Sequence, residues 1–218
     1  MHHRTIVRTV LAALPLMGLV GCAAGPTLGR PEAMQTPRVV PVTPESATAE
    51  QKKFLDAQEP SLSRLNVVRT FTVNPRLAEA WQPFAYYVLR TSTLPPRDRE
   101  LLILRIGWLN QSQYEFTQHV RVARGIGFTD QDIERVKTGP DAPGLDAFSI
   151  ALLRAVDQLR TKSFVDDAVW SVLKTRYDEK QLMDVVVTTG QYNIISWYLN
   201  TLGTPIEDWA TPQPMSTK

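Results

Sequence analysis

Cysteine is nearly absent from this 218-residue chain: Cys22 is the only one. Without a second thiol the chain can form no internal disulfide, and it has no dithiol redox pair. Histidine is almost as scarce. Of three, His2 and His3 stand at the N-terminus, so His119 is the only one beyond residue 21. A metal site built on several imidazoles is thereby excluded for most of the chain. Neither charge dominates, with 24 Lys and Arg against 22 Asp and Glu. These charges are interspersed, which excludes the basic footprint of a nucleic-acid binder and a polybasic membrane patch. Strand-like alternation and internal repeats are also missing.

The one uninterrupted apolar run, Val10 to Val20, follows Arg4 and Arg8 and is too short to span a bilayer as a helix. It reads as a signal peptide over 1–21. The run closes on Leu19-Val20-Gly21-Cys22, which resembles a bacterial lipobox and predicts lipidation at Cys22. Ala23 and Ala24 follow with no aspartate, so an outer-membrane or periplasmic-face address in the cell envelope is expected for a Gram-negative host. Removal of 1–21 takes away Arg4 and Arg8 and no acid, leaving 22 basic and 22 acidic residues. Membrane contact is therefore expected through the lipid anchor only.

Residues 22–47 carry Pro26, Pro31, Pro37, Pro41 and Pro44 and show no periodicity, as a tether would. Residues 48–209 form the expected domain, and 210–218 a flexible tail. Helix punctuation runs throughout. Asn74-Pro75 reads as an N-cap with proline at the first helical position, and Thr129 to Asp132, Ser163 to Asp166 and Asp178 to Gln181 read as capping boxes. Apolar residues at Leu77, Trp81, Phe84 and Val88, and at Ile150, Leu153, Val156 and Leu159, keep helical spacing. Further helices are expected near 49–58, 62–72, 97–110, 112–126, 130–137, 165–176 and 179–202. The fold class is all-α.

On a helix over 112–126, Glu115, His119, Val122, Ala123 and Ile126 share one arc, with Thr117 and Arg121 largely opposite. A carboxylate and an imidazole on an inward face need partners or a polar pocket. The preceding segment, Leu101 to Leu109, is apolar except for Arg105, and Glu100 leads into it. Two readings stand side by side. Glu115 and His119 form either an ordinary i,i+4 pair or a proton-transfer pair assisted by Glu100. Likewise Arg105 either neutralises Glu100 or offers positive charge to a substrate carboxylate or enolate. A divalent ion on Glu100, Glu115 and His119 is a weaker third reading, and no metal is expected. Tyr114 falls towards the polar side of its helix, at a pocket mouth or subunit contact; Tyr192 and Asn193 either line the pocket or satisfy buried groups.

Leu94-Pro-Pro-Arg-Asp-Arg-Glu100 through Arg105, Tyr114-Glu-Phe-Thr-Gln-His119 and Ala123-Arg-Gly-Ile-Gly127 together resemble the carboxymuconolactone decarboxylase family, which includes the AhpD-like alkylhydroperoxidases. The likeness continues through Leu152 to Leu159 and Tyr177 to Met183 to Gly190-Gln-Tyr-Asn193 and Asn200. In the peroxidase branch a C-x-x-C-x-x-x-H motif works with an upstream glutamate. Aligned on His119, the cysteine positions fall on Ser112 and Glu115 and the glutamate on Glu100. Serine and glutamate cannot cycle through disulfide and sulfenic states. The resemblance therefore implies cofactor-free acid/base chemistry, with His119, Glu115 and Glu100 catalytic and Arg105, Ser112 and Tyr192 around a small unsaturated acid or lactone. It implies a lyase, decarboxylase or isomerase, and a homo-oligomer, trimeric or hexameric. A non-catalytic envelope scaffold on the same fold is the alternative.

Overall fold

A computed structural model of the chain describes residues 36–215. The expected signal peptide and Cys22 lie outside them. Among the described residues ten α-helices follow one another: α1 Ala49–Asp56, α2 Pro60–Ser63, α3 Asn66–Phe71, α4 Pro75–Tyr86, α5 Pro96–Leu109, α6 Gln113–Gly125, α7 Asp130–Thr138, α8 Ala147–Lys162, α9 Asp167–Leu173 and α10 Glu179–Leu202. No strand occurs among the described residues, so the domain is all-α as expected.

The central element is α5. Every residue from Glu100 to Trp108 is buried, and the helix packs against α6, α7, α8 and α10. A helix that is apolar all round can be stable only when its neighbours enclose it, and these four helices do so. Leu102, Ile103, Leu104 and Ile106 share the resulting core with Phe116, Leu152, Leu153 and Leu173.

Local chemistry sets the helix ends. Thr48, Thr129 and Asp178 form reciprocal capping boxes with Gln51, Asp132 and Gln181. Asn74 Oδ1 accepts from the Leu77 N–H, and Pro75 occupies the first helical position, where no N–H partner is required. The box expected at Ser163 to Asp166 divides instead between two helices. Ser163 ends α8 in the left-handed region at φ 64°, while Asp166 alone caps α9 through the Val169 N–H. The stretch expected as one helix over 62–72 is broken at Arg64 and Leu65 into α2 and α3.

In α4, Pro83 removes one amide donor from the helical ladder, and the chain continues into a π-helical turn, Tyr87–Thr91. Asp184 on α10 holds this turn, accepting from the Tyr87 hydroxyl at 2.8 Å and from the Thr93 N–H and hydroxyl at 2.7 Å each. The inward face of α4 is Ala78, Trp81, Ala85 and Val88; Leu77 and Phe84, expected inside, are 45% and 39% exposed.

Both ends of the described chain pack onto the helices. The Arg38 and Val39 N–H groups donate to the Leu202 carbonyl, and Val42 is buried with its N–H on the Arg69 carbonyl. The segment after α10 places Glu207 in the interior, where it accepts from the Asn66 N–H, the Tyr114 hydroxyl and Gln118 Nε2. Beyond it, the Gln213 N–H donates to Thr117 Oγ1, which explains why Thr117 is buried on the side of α6 expected to face water.

Candidate functional site

The site is built on α5, α6 and α10. Glu100, fully buried in the first turns of α5, sets Oε2 2.7 Å from His119 Nδ1 on α6. A carboxylate can only accept, so this pairing assigns the proton to Nδ1 and leaves Nε2 as the basic nitrogen. Nε2 takes part in no hydrogen bond among the described residues. The other oxygen of Glu100 lies 3.6 Å from Arg99 Nε, so a cation stands behind the pair.

Glu115, one helical turn before His119, is buried and faces α5 and α10. It fits there because residue 107 is glycine: a Cβ at Gly107 would stand 2.9 Å from Glu115 Oε1. Ser196 on α10 donates its hydroxyl to Glu115 Oε2 at 2.8 Å, while Oε1 has no partner. Burial raises the Glu115 pKa well above the ordinary carboxyl value, and the single Ser196 hydrogen bond opposes this only in part. Glu115 therefore keeps its proton to a higher pH than an exposed carboxyl does. Tyr192, also on α10, meets His119 edge-on with ring centroids 4.8 Å apart. Burial, then the nearby Glu100 and Glu115, push its phenol well above its ordinary range, so it too stays protonated.

These groups open onto a cavity of about 100 Å³. Glu115, His119 and Tyr192 line it with Gln118 and Gln191; Trp81, Ala85, Leu89 and Ile195 supply apolar wall. Trp81 is held in place by stacking on Phe71, 4.0 Å between centroids, and Phe71 stacks in turn on Tyr198. Glu115 and His119 thus share one wall, with Glu100 behind the imidazole.

Other residues singled out from the sequence lie elsewhere. Arg105 points away from the cavity: it makes a bidentate pair with Asp157, at 2.7 and 2.9 Å, and donates to the Val136 and Lys137 carbonyls at the end of α7. It neither neutralises Glu100 nor offers charge to a ligand. The face periodicity of α5 could not reveal this, because every face of that helix is buried. Ser112 is fully buried at the start of α6, outside the cavity wall, with its hydroxyl unpartnered. Tyr114, expected at a pocket mouth or subunit contact, is buried between Glu207 and the Val67 N–H. Asn193 accepts from Asn110 Nδ2 at 2.8 Å rather than lining the cavity. Val122 and Ile126, placed on the inward arc, are 39% and 40% exposed, whereas Ala123 on the same arc is buried with Val120 in the core.

Ser196 was missed, though a signal exists: it is one helical turn after Tyr192 in an otherwise apolar stretch. Gln118 and Gln191 carry no comparable signal. Among the described residues no group of three His, Cys, Asp or Glu is arranged to hold a metal ion, and no helix is long and apolar enough to cross a membrane.

Residues 75–158 match the model of the carboxymuconolactone decarboxylase family. No functionally curated protein matches the chain. Among solved structures, an uncharacterized peroxidase-related protein with an alkylhydroperoxidase AhpD core, from Ralstonia eutropha, is similar with a TM-score of 0.68 at 16% identity. It covers 79% of this chain and 93% of its own. An uncharacterized peroxidase-related protein from Silicibacter gives a TM-score of 0.62 at 20% identity, over 83% of this chain and 91% of its own. A cysteine-to-alanine form of the debrominase Bmp8, in complex with 2,3,4-tribromopyrrole, gives a TM-score of 0.66 at 14% identity, covering 81% and 95%. Such identities establish a shared fold. The family match contains Glu100, Glu115 and His119, and the fold around it is the one these AhpD-like structures share.

Proposed function

We propose that this protein is a cofactor-independent acid/base enzyme, a lyase or isomerase, acting on a small unsaturated acid or lactone. The observation that carries this reading is the pairing of a base and an acid on one cavity wall: His119, oriented by Glu100 at 2.7 Å, and Glu115, kept protonated by burial. His119 Nε2 takes a proton from the carbon next to the substrate carbonyl, and the electron pair moves into the carbonyl as an enolate. Glu115 lends its proton to that oxygen, and return of the His119 proton to the far end of the conjugated system completes a double-bond shift. Acid and base both come from this chain. Tyr192 supports the imidazole ring from the side.

Peroxide reduction through a disulfide finds no support here, since Ser112 and Glu115 stand where the peroxidase branch has cysteines and Cys22 is the only thiol. The debrominase was solved with a small ring compound, 2,3,4-tribromopyrrole, which supports reading the corresponding cavity here as a small-molecule site. That open volume beside His119 favours an enzyme over a scaffold, whose ion pair would be packed and dry. We place the enzyme in the cell envelope, held by a lipid on Cys22 and assembled with copies of itself.

The test is a turnover assay of the soluble domain on a panel of unsaturated lactones and acids. His119→Gln should lower kcat at least a hundredfold, on the general-base scale of about 10²–10⁴, with the circular dichroism spectrum unchanged. A folded His119→Gln protein that retained turnover would rule the mechanism out.

A further inference from the structure

We infer that this cavity selects an uncharged ligand, so that the lactone, ketone or amide form of an unsaturated compound binds and its free carboxylate does not. This rests on the reading of the cavity as a substrate site, and it narrows the proposed acids and lactones to the uncharged compounds among them. No Lys or Arg lines the cavity. The one cation that the sequence offered for anchoring a carboxylate, Arg105, is fully engaged by Asp157 and two carbonyls. Arg99 stands behind Glu100, off the cavity wall, and is offset by that carboxylate at 3.6 Å. His119 is likewise held by a carboxylate through Nδ1.

At the edge formed by α3, the Asn66 N–H is taken by Glu207 and the Val67 N–H by the Tyr114 hydroxyl, and no cationic side chain on the wall replaces the water around an anion. An entering carboxylate would lose its hydration among Trp81, Ala85, Leu89 and Ile195 and meet no cationic side chain there. A neutral molecule escapes this cost and still finds polar partners. Gln191 offers amide groups, Tyr192 a phenol kept protonated, and Glu115 a neutral acid.

Crotonamide and crotonate are matched in size and differ in charge. Titrated against the soluble domain at pH 7.5 with ligand-detected NMR, crotonamide should bind at least tenfold more tightly. Leu65→Lys places a cation on the partly exposed rim of the cavity. It should raise crotonate affinity at least fivefold and leave crotonamide within twofold. Equal affinities, tighter binding of crotonate, no binding of either compound, or no response of crotonate to Leu65→Lys would each overturn the inference. Binding is read without turnover. A wild-type protein that prefers crotonamide but turns over no compound of the panel would sink the proton-transfer reading and leave the charge selection standing.

Discussion

A carboxyl buried as completely as Glu115, with one donor at Oε2 and none at Oε1, keeps its proton to a higher pH than the unfolded chain does. Its pKa is raised on folding, so between the ordinary value of 4.5 and the raised one the native state binds more protons. Stability from this group is therefore full below about pH 4.5 and falls as pH rises towards the native pKa, by at most about 1.4 kcal/mol per pH unit. Glu115→Gln removes the titration while keeping a hydrogen-bond acceptor for Ser196. Urea unfolding followed from pH 5 to pH 9 should show the variant losing less stability than the wild type over that window, and overtaking it at the alkaline end. Parallel curves would mean that Glu115 ionises freely in the native protein. The same substitution should lower turnover at least tenfold, because a glutamine cannot return a proton.

At the scale of elements, α5 carries two charged residues with different work. Glu100 turns to α6 and the cavity; Arg105 turns to α7 and α8. A Cβ at Gly139, which has φ 93° at the end of α7, would lie within 2.8 Å of three guanidinium atoms of Arg105, so glycine is required both by the backbone and by the arginine. Arg105→Met should cost about 2–3 kcal/mol, from the lost charged hydrogen bonds and the stranded α7 carbonyls. Activity per folded molecule should stay within twofold, measured by urea denaturation and by turnover normalised to the native fraction. A rise in KM at unchanged stability would instead return Arg105 to the substrate. This division was illegible in the sequence. Spacing alone places Glu115 and His119 on one face of α6, and the family resemblance brings Glu100 to them, because these contacts lie on one helix or on a recognisable pair. The partner of Arg105 is 52 residues away on α8, and on a helix buried all round, direction depends on tertiary packing. For the same reason the interior of Tyr114 and Thr117 depends on the segment around Glu207 and Gln213, polar residues that in sequence resemble a solvated tail.

At the scale of the whole molecule, the described residues leave an apolar face of α10 uncovered. From Val185 to Leu202, α10 has no charged residue. Its outer side shows Met183 at 68%, Val186 at 38%, Ile194 at 53% and Trp197 at 60% exposure, at the three- and four-residue spacing of a helix-packing stripe. Gly190 lies in the middle of this stripe, and the space where its side chain would stand meets no atom of the chain. A glycine inside a helix costs about 1 kcal/mol relative to alanine, and no contact among the described residues requires it. Tyr87, bonded to Asp184, extends the apolar surface beyond the end of the stripe. These features support the proposed assembly with copies of itself, in which apolar side chains would interlock along some 20 Å of helix. Ile194→Glu with Trp197→Glu should convert an oligomer to monomers in sedimentation equilibrium. The substitutions lie outside the core and should leave the monomer fold intact by circular dichroism. Because Tyr192, Ile195 and Ser196 sit on the opposite side of the same helix, loosening this interface should also lower turnover. A wild-type protein that sediments as a monomer at high micromolar concentration would refute self-association through α10.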